Sequence, residues 1–161
     1  LSCGLHNNTN APIEMVEAKY PVVFTRYGLL PDSGGAGEHR GGLGLVREFR
    51  LEAAEGSLST NFERFRFAPY GIKGGQPGSL SSTTVTHADG RAESLRSKVS
   101  GIPLSAGDTV TIKTSGGGGF GNPADRDPAR LAEDLAEGLV TPQAARTLYG
   151  AVGVAGEGVA A

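Results

Sequence analysis

The sequence predicts a mainly β chain: an antiparallel sandwich or barrel-like sheet followed by a short C-terminal helical hairpin. Three observations predict it. Short runs of β-branched and aromatic residues recur between glycine turns from Tyr20 to about Thr114. The connections carry turn chemistry, most clearly Asp89-Gly90, a strong hairpin signal. After Gly121 the texture changes to two helix starts, Asp127-Pro128 and Thr141-Pro142.

Taken in order, Tyr20–Tyr27 (YPVVFTRY) reads as the first strand, with Pro21 near its start, where a missing N–H does least harm. Residues 43–51 (LGLVREFRL) alternate imperfectly, yet Val46, Phe49 and Leu51 favour a strand. Asn61–Ala68 (NFERFRFA) reads as a strand with Phe65 and Phe67 on one face and Arg64 and Arg66 on the other. Ser82–His87 (STTVTH) leads into the Ala88-Asp89-Gly90 turn. Asp108–Thr114 (DTVTIKT) is the cleanest strand, with Val110 and Ile112 pointing one way and Thr109, Thr111 and Lys113 the other. Strands at this spacing indicate a sandwich or barrel-like sheet.

In the helical part, Asp127 is an N-cap and Leu131 and Leu135 lie one above the other at i, i+4, with Gly138 placed to stop the helix. Thr141-Pro142 repeats the start, Leu148 supplies the apolar face, and Gly150 repeats the stop. The organisation expected is a β-rich glycine-loop domain over 1–122, a helical hairpin over 123–150, and a tail over 151–161 that frays unless a partner covers it.

Composition narrows the function classes. Glycine and proline number 26 and 9 in 161 residues, more than a fifth of the chain and well above average usage. Leu, Ile, Val and Phe together also make up little more than a fifth, so the core is thin for the length. Net charge is −2, from 15 basic and 17 acidic residues with no basic block, which argues against an electrostatic nucleic-acid binder. No apolar run approaches the roughly 18 residues that a membrane span needs. One cysteine, Cys3, excludes an internal disulfide and suits a reducing, cytoplasmic setting. The opening LSCGLHNNTNAPIEM has neither an initiator Met nor a signal-peptide pattern, and reads as cut from a longer polypeptide.

Candidate chemistry is sparse. The block 31–42 (PDSGGAGEHRGG) holds five glycines and reads either as a tight loop between strands, with Asp32 and Ser33 bonding their own backbone, or as an anion cradle. It lacks the Gly-Lys-Ser/Thr ending of a phosphate loop. In 115–121 (SGGGGFG), Gly116, Gly118 and Gly121 satisfy G-x-G-x-x-G, but Asn122-Pro123 intervenes before the helix, so a dinucleotide site fails on context. Cys3 and His6 form a lone C-x-x-H, and His39 and His87 stand apart, which makes no zinc set. There is no G-x-S-x-G. Glu14 and Glu17 lie at helical spacing, as many solvated pairs do, and the Arg64/Arg66 stripe among phenylalanines reads as a solvated strand face.

The order of several segments carries more than any one of them. Asn8-Thr9-Asn10-Ala11-Pro12-Ile13-Glu14, Glu17-Ala18-Lys19-Tyr20-Pro21, Arg26-Tyr27 and Pro31-Asp32-Ser33-Gly34-Gly35-Ala36-Gly37 come first. Arg40-Gly41-Gly42-Leu43-Gly44, Gly74-Gly75-Gln76-Pro77-Gly78, Gly107-Asp108 and the run 116–123 ahead of Asp127-Pro128 follow. This series resembles the C-terminal part of the hydantoinase B/oxoprolinase family, to about Gly150. One departure is Asn10-Ala11, standing where the family usually has Thr directly before Pro-Ile-Glu.

The resemblance implies the C-terminal portion of a larger α+β subunit of an ATP-dependent hydrolase of cyclic amides such as hydantoins, 5-oxoproline or lactams. It implies ATP and a divalent metal for the complete enzyme, with neither bound by this segment. The partners implied are the N-terminal remainder of the subunit and a hydantoinase A-type nucleotide-binding subunit. Asn10, Glu14, Asp32, Ser33 and Arg40 are the polar groups expected near a shared cleft or interface, with catalytic residues elsewhere. Two other readings stand beside it: a subunit of an acetone- or acetophenone-type carboxylase, and a non-enzymatic β-rich binding module.

Overall fold

The computed structural model describes residues 11–151. Its strands build around β7 (Thr109–Lys113), the centre of a five-stranded antiparallel sheet. β2 (Leu45–Leu51) lies on one side of β7 and β4 (Ser82–Thr86) on the other, so Val110 sits between Phe49 and Val85. β1 (Val22–Leu29) extends the sheet beyond β2, and β5 (Ala92–Ser94) extends it beyond β4. The β4–β5 turn is the one that Asp89-Gly90 signals: Gly90 has φ +86° and Asp89 accepts from the Arg91 N–H at 2.9 Å. A second sheet pairs β3 (Glu55–Asn61) with β6 (Lys98–Ser105). Leu104 from this sheet packs with Leu51, Val85, Leu95 and Val110, which makes the two layers a sandwich.

Three glycine-rich stretches, 33–44, 69–79 and 115–121, lie against one another without forming strands of either sheet. Their amides and carbonyls bond across. Gly35 N–H donates to Gly117 at 2.8 Å, Gly117 to Gly42 at 2.8 Å, Gly119 to Gln76 at 2.9 Å, and Gln76 to Ala36 at 2.7 Å. The spacing of this weave excludes side chains. A Cβ on Gly118 would overlap the Tyr70 carbonyl, and one on Gly116 would overlap that of Ser33. The glycines permit backbone to pack on backbone, a contact that no other residue allows.

The C-terminal helices dock on this weave. α2 (Pro128–Ala136) is capped by Asp127, whose carboxylate accepts from Ala129 N–H at 2.9 Å, and α3 (Pro142–Tyr149) by Thr141, which accepts from Ala144 N–H at 3.1 Å. Gly150 ends α3 at φ +69°. Leu131, Val140, Ala144, Ala145 and Tyr149 share a small core with Ala36 of the weave.

Several expectations are corrected. The strand expected over Asn61–Ala68 does not exist: only Asn61 belongs to a strand, and Phe62 N–H closes the ladder on Ser97. Arg64 then turns at φ +65°, and Phe67 is 76% exposed. Alternation there had no neighbouring strand to pair with, so it does not make a sheet. The apolar face of α3 is Ala144, Ala145 and Tyr149 rather than Leu148, which is largely exposed, because alanines let the helix approach the weave closely. The first strand starts at Val22, since the short helix α1 (Ile13–Lys19) precedes it. The 31–42 block joins β1 to β2 with Ser33 bonding the nearby Leu30 carbonyl, as expected, but Asp32 bonds Thr141 and Leu139 instead of its own loop, and much of the block bonds backbone far away in sequence. The tail beyond Ala151 lies outside the described residues.

Gly118→Ala is expected to destabilise the protein by about 3 kcal/mol, since the surrounding backbone has nowhere to move. Gly42→Ala, whose Cβ would meet nothing within 4 Å, should stay within about 0.5 kcal/mol. Denaturant midpoints of the two variants decide it; equal shifts would contradict the packing described.

Candidate functional site

The polar centre of the described structure is a seam between the weave and the helical hairpin. Arg40, at the end of the first glycine block, grips Asp134 of α2 with two bonds, Nε at 3.1 Å and Nη2 at 2.9 Å, and donates a third to the Gly41 carbonyl at 3.0 Å. Arg126 approaches the same carboxylate at 2.5 Å, donates to the Glu38 carbonyl at 3.3 Å, and lies over the Tyr149 ring at 5.8 Å. All three charged side chains are buried or nearly so. Burial pushes the Asp134 carboxyl up, but the bonds and charges of Arg40 and Arg126 outweigh it and hold the group below its ordinary value. The triad links segments 94 residues apart.

Of two further expected residues, Asp32 joins this seam and Ser33 fastens the connection between β1 and β2. Asp32, at φ +59°, accepts from Thr141 N–H at 2.8 Å, and its own N–H donates to Leu139, so it clamps the start of α3 rather than its own loop. Ser33 is buried; its hydroxyl donates to the Leu30 carbonyl at 2.5 Å and accepts from Gly44 N–H at 2.8 Å. With both directions committed, it is no nucleophile in this arrangement. Glu14 is not brought here. It is exposed on α1, which packs against β1 and whose Glu17 accepts from Phe24 N–H at 2.6 Å. Asn10 lies outside the described residues. Asp32 and Arg40 are thus gathered at the seam, by bonds that hold the fold together.

Two clusters had no signal in the spacing, because their members come from separate segments. His39 and Phe120 exchange backbone bonds at 2.9 Å in both directions, their rings lie 6.1 Å apart, and Lys73 Nζ stands 5.3 Å from the Phe120 ring. Lys73 adopts φ +50°, and both His39 and Phe120 are open to solvent. Elsewhere, His87 Nδ1 lies 3.1 Å from the buried carboxylate of Asp108. The Ser105 N–H holds Asp108 below its ordinary value against burial, helped by Ala88 N–H and by His87. His87 Nε2 is buried, 3.9 Å from Glu93, so this dyad faces protein rather than a substrate cleft.

The amides of Gly35, Gly41, Gly75, Gly78, Gly117, Gly119 and Gly121 all donate to carbonyls. Among the described residues, no group of three or more His, Cys, Asp or Glu is placed to hold a cation. No described helix is long and apolar enough to cross a membrane.

With this geometry in hand, similarity to known proteins is informative. The profile of the Hydantoinase B/oxoprolinase family matches residues 1–123, a stretch that includes both glycine blocks. The β subunit of caprolactamase from Pseudomonas jessenii is 34% identical over 146 residues, 87% of this chain and 25% of that protein. 5-Oxoprolinase 1 of Arabidopsis thaliana is 39% identical over 124 residues, 76% of this chain and 10% of that protein. The crystal structure of the ATP-dependent caprolactamase superposes with TM-score 0.74 at 32% identity, over 86% of this chain and 24% of that one. A nucleotide-free acetone carboxylase superposes equally well, TM-score 0.74, over 88% of this chain and 23% of that one; at 22% identity this shows the fold alone. The chain therefore spans about a quarter of the caprolactamase subunit, and a tenth of the oxoprolinase.

Asp134→Asn should cost about 3–5 kcal/mol, because it leaves two largely buried guanidinium groups facing a neutral amide. Arg130→Ala, exposed on the same helix, should stay within about 0.5 kcal/mol. The sign of the pH effect follows from the lowered carboxyl. Its contribution is complete above the ordinary carboxylate value, about 4, and is lost as pH falls through the lower folded value. Wild-type stability should therefore drop in acid more steeply than that of Asp134→Asn, as read from denaturant midpoints between pH 7 and pH 3.

Proposed function

The chain belongs to the hydantoinase B/oxoprolinase family, and from that premise we propose that it serves as the C-terminal, site-shaping portion of a B subunit in an ATP-dependent hydrolase of cyclic amides. The single observation that carries this reading is the family match running through both glycine blocks, whose backbone lattice is the least substitutable part of the described structure. Relatives named for oxoprolinase and caprolactamase activity point to cleavage of a ring C–N bond.

An amide carbonyl is a poor electrophile, and in an ATP-dependent reaction the nucleotide supplies the activation. The part of the described residues is to fix geometry. The weave is a rigid wall, the Arg40–Asp134–Arg126 seam locks the helical hairpin to it, and Asp32 and Ser33 fasten its edges. His39, Lys73 and Phe120 form the polar, aromatic rim that this wall presents to solvent. Glu14 belongs to the interface around α1. The partners are the rest of the B subunit, with the catalytic and metal-holding groups, and a nucleotide-binding A-type subunit; the setting is cytoplasmic.

The test is ATP-coupled ring opening of 5-oxoproline, a hydantoin or caprolactam by the complete complex. Arg40→Ala should lower kcat/KM or assembly at least tenfold, about 1.4 kcal/mol, while Arg130→Ala leaves both unchanged. Equal effects would remove the seam from the reading. ATP turnover that requires bicarbonate and a ketone, with no ring opening, would replace hydrolysis by carboxylation.

A further inference from the structure

We propose that the inner face of the large sheet at β1 is a docking surface for an apolar extended segment from the three quarters of the family subunit that this chain does not span. The proposal rests on the B-subunit reading and names the surface through which that subunit is completed.

The sandwich is lopsided. Five strands face two. Residues paired directly across strands share a face, so the register places Phe24 with Phe49 and Tyr27 with Arg47 on the side that carries Leu51 and Val110 into the core. The bulge at Thr25 keeps Tyr27 on this inner side, and its ring meets that of Phe24 edge-on at 6.4 Å. Leu29, opposite Leu45, continues the row. An inner face should be covered, yet Leu29 is 50% exposed and Tyr27 is 39% exposed.

Beside this row lies a groove of about 440 Å³, lined by Val16, Tyr20, Phe24, Phe49, Leu58 and Leu104 among others. α1 closes one side with no residue of its own buried, and its Met15 is 67% exposed. The two edges of the sheet differ as well. β5 is three residues long and polar, the usual protection of a free edge. β1 is eight residues long and carries Val22, Phe24, Tyr27 and Leu29 along its inner face, and its start is blocked where Glu17 takes the Phe24 N–H. A long free edge next to an apolar groove suits an added strand, which gains ladder bonds along Thr25–Leu29 and seats alternate side chains in the groove. The occupant is supplied by length: relatives of this chain are about four times longer.

Hydroxyl-radical footprinting of the unmodified full-length subunit, read by peptide mass spectrometry, tests the assignment without a variant that might fail to fold. Met15, Tyr20 and Tyr27 should oxidise at least fivefold more slowly than in the denatured subunit, whereas Leu148 on α3 should change less than twofold. Oxidation of all three at the denatured rate overturns the proposal. Protection that disappears on dilution, together with a halving of mass, assigns the surface to a second copy and overturns it too. The readout does not depend on activity: a protected face in a subunit whose complete complex opens no ring would sink the hydrolase reading and leave the docking surface standing.

Discussion

The rest of the structure depends on one constraint: three stretches of main chain pass closer to each other than any side chain allows. Where Gly116 meets the Ser33 carbonyl and Gly118 meets that of Tyr70, the contact is peptide against peptide. Such a lattice gains little from apolar burial and much from satisfied amides, which fits a chain whose large apolar residues are scarce. It also sets where everything else sits. The weave ties the end of β1 to the start of β2, receives the chain leaving β7, and offers Ala36 as the floor on which the helical hairpin packs.

How much of this the sequence discloses follows from which interactions use side chains. β7 and the β4–β5 hairpin are legible because Val110 and Val85 alternate with polar residues and Asp89-Gly90 demands its turn. Both C-terminal helices are legible because their caps are local, Asp127 to Ala129 and Thr141 to Ala144. β3 and β6 (EGSLSTN and KVSGIPLS) are not, since small and polar residues dominate them and their pairing is settled by each other. Residues 61–68 show the reverse case, a good alternating pattern with no partner. The weave is the least legible element, because peptide-to-peptide contact leaves only glycine as a trace, and glycine also marks ordinary turns.

The same logic governs the site. Arg40, Asp32 and Ser33 stand out by their place within a glycine block, but what each does is decided by Asp134, Thr141 and Gly44, which no spacing rule connects to them. The seam that results is a structural joint. It makes this glycine block a scaffold, and leaves the exposed chemistry to the rim of His39, Lys73 and Phe120, drawn from three separate stretches. A scaffold that spans a quarter of a related subunit and carries a half-covered sheet face makes sense as one wall of a larger enclosure.

The claim that the weave is a rigid wall rather than a set of surface loops is tested most directly by residue-resolved amide hydrogen exchange in the intact subunit. The account expects the amides of Gly35, Gln76, Gly117 and Gly119 to exchange as slowly as those of Val46 and Val110 in the sheet. Exchange at the rate of exposed loops, while the sheet stays protected, would contradict it.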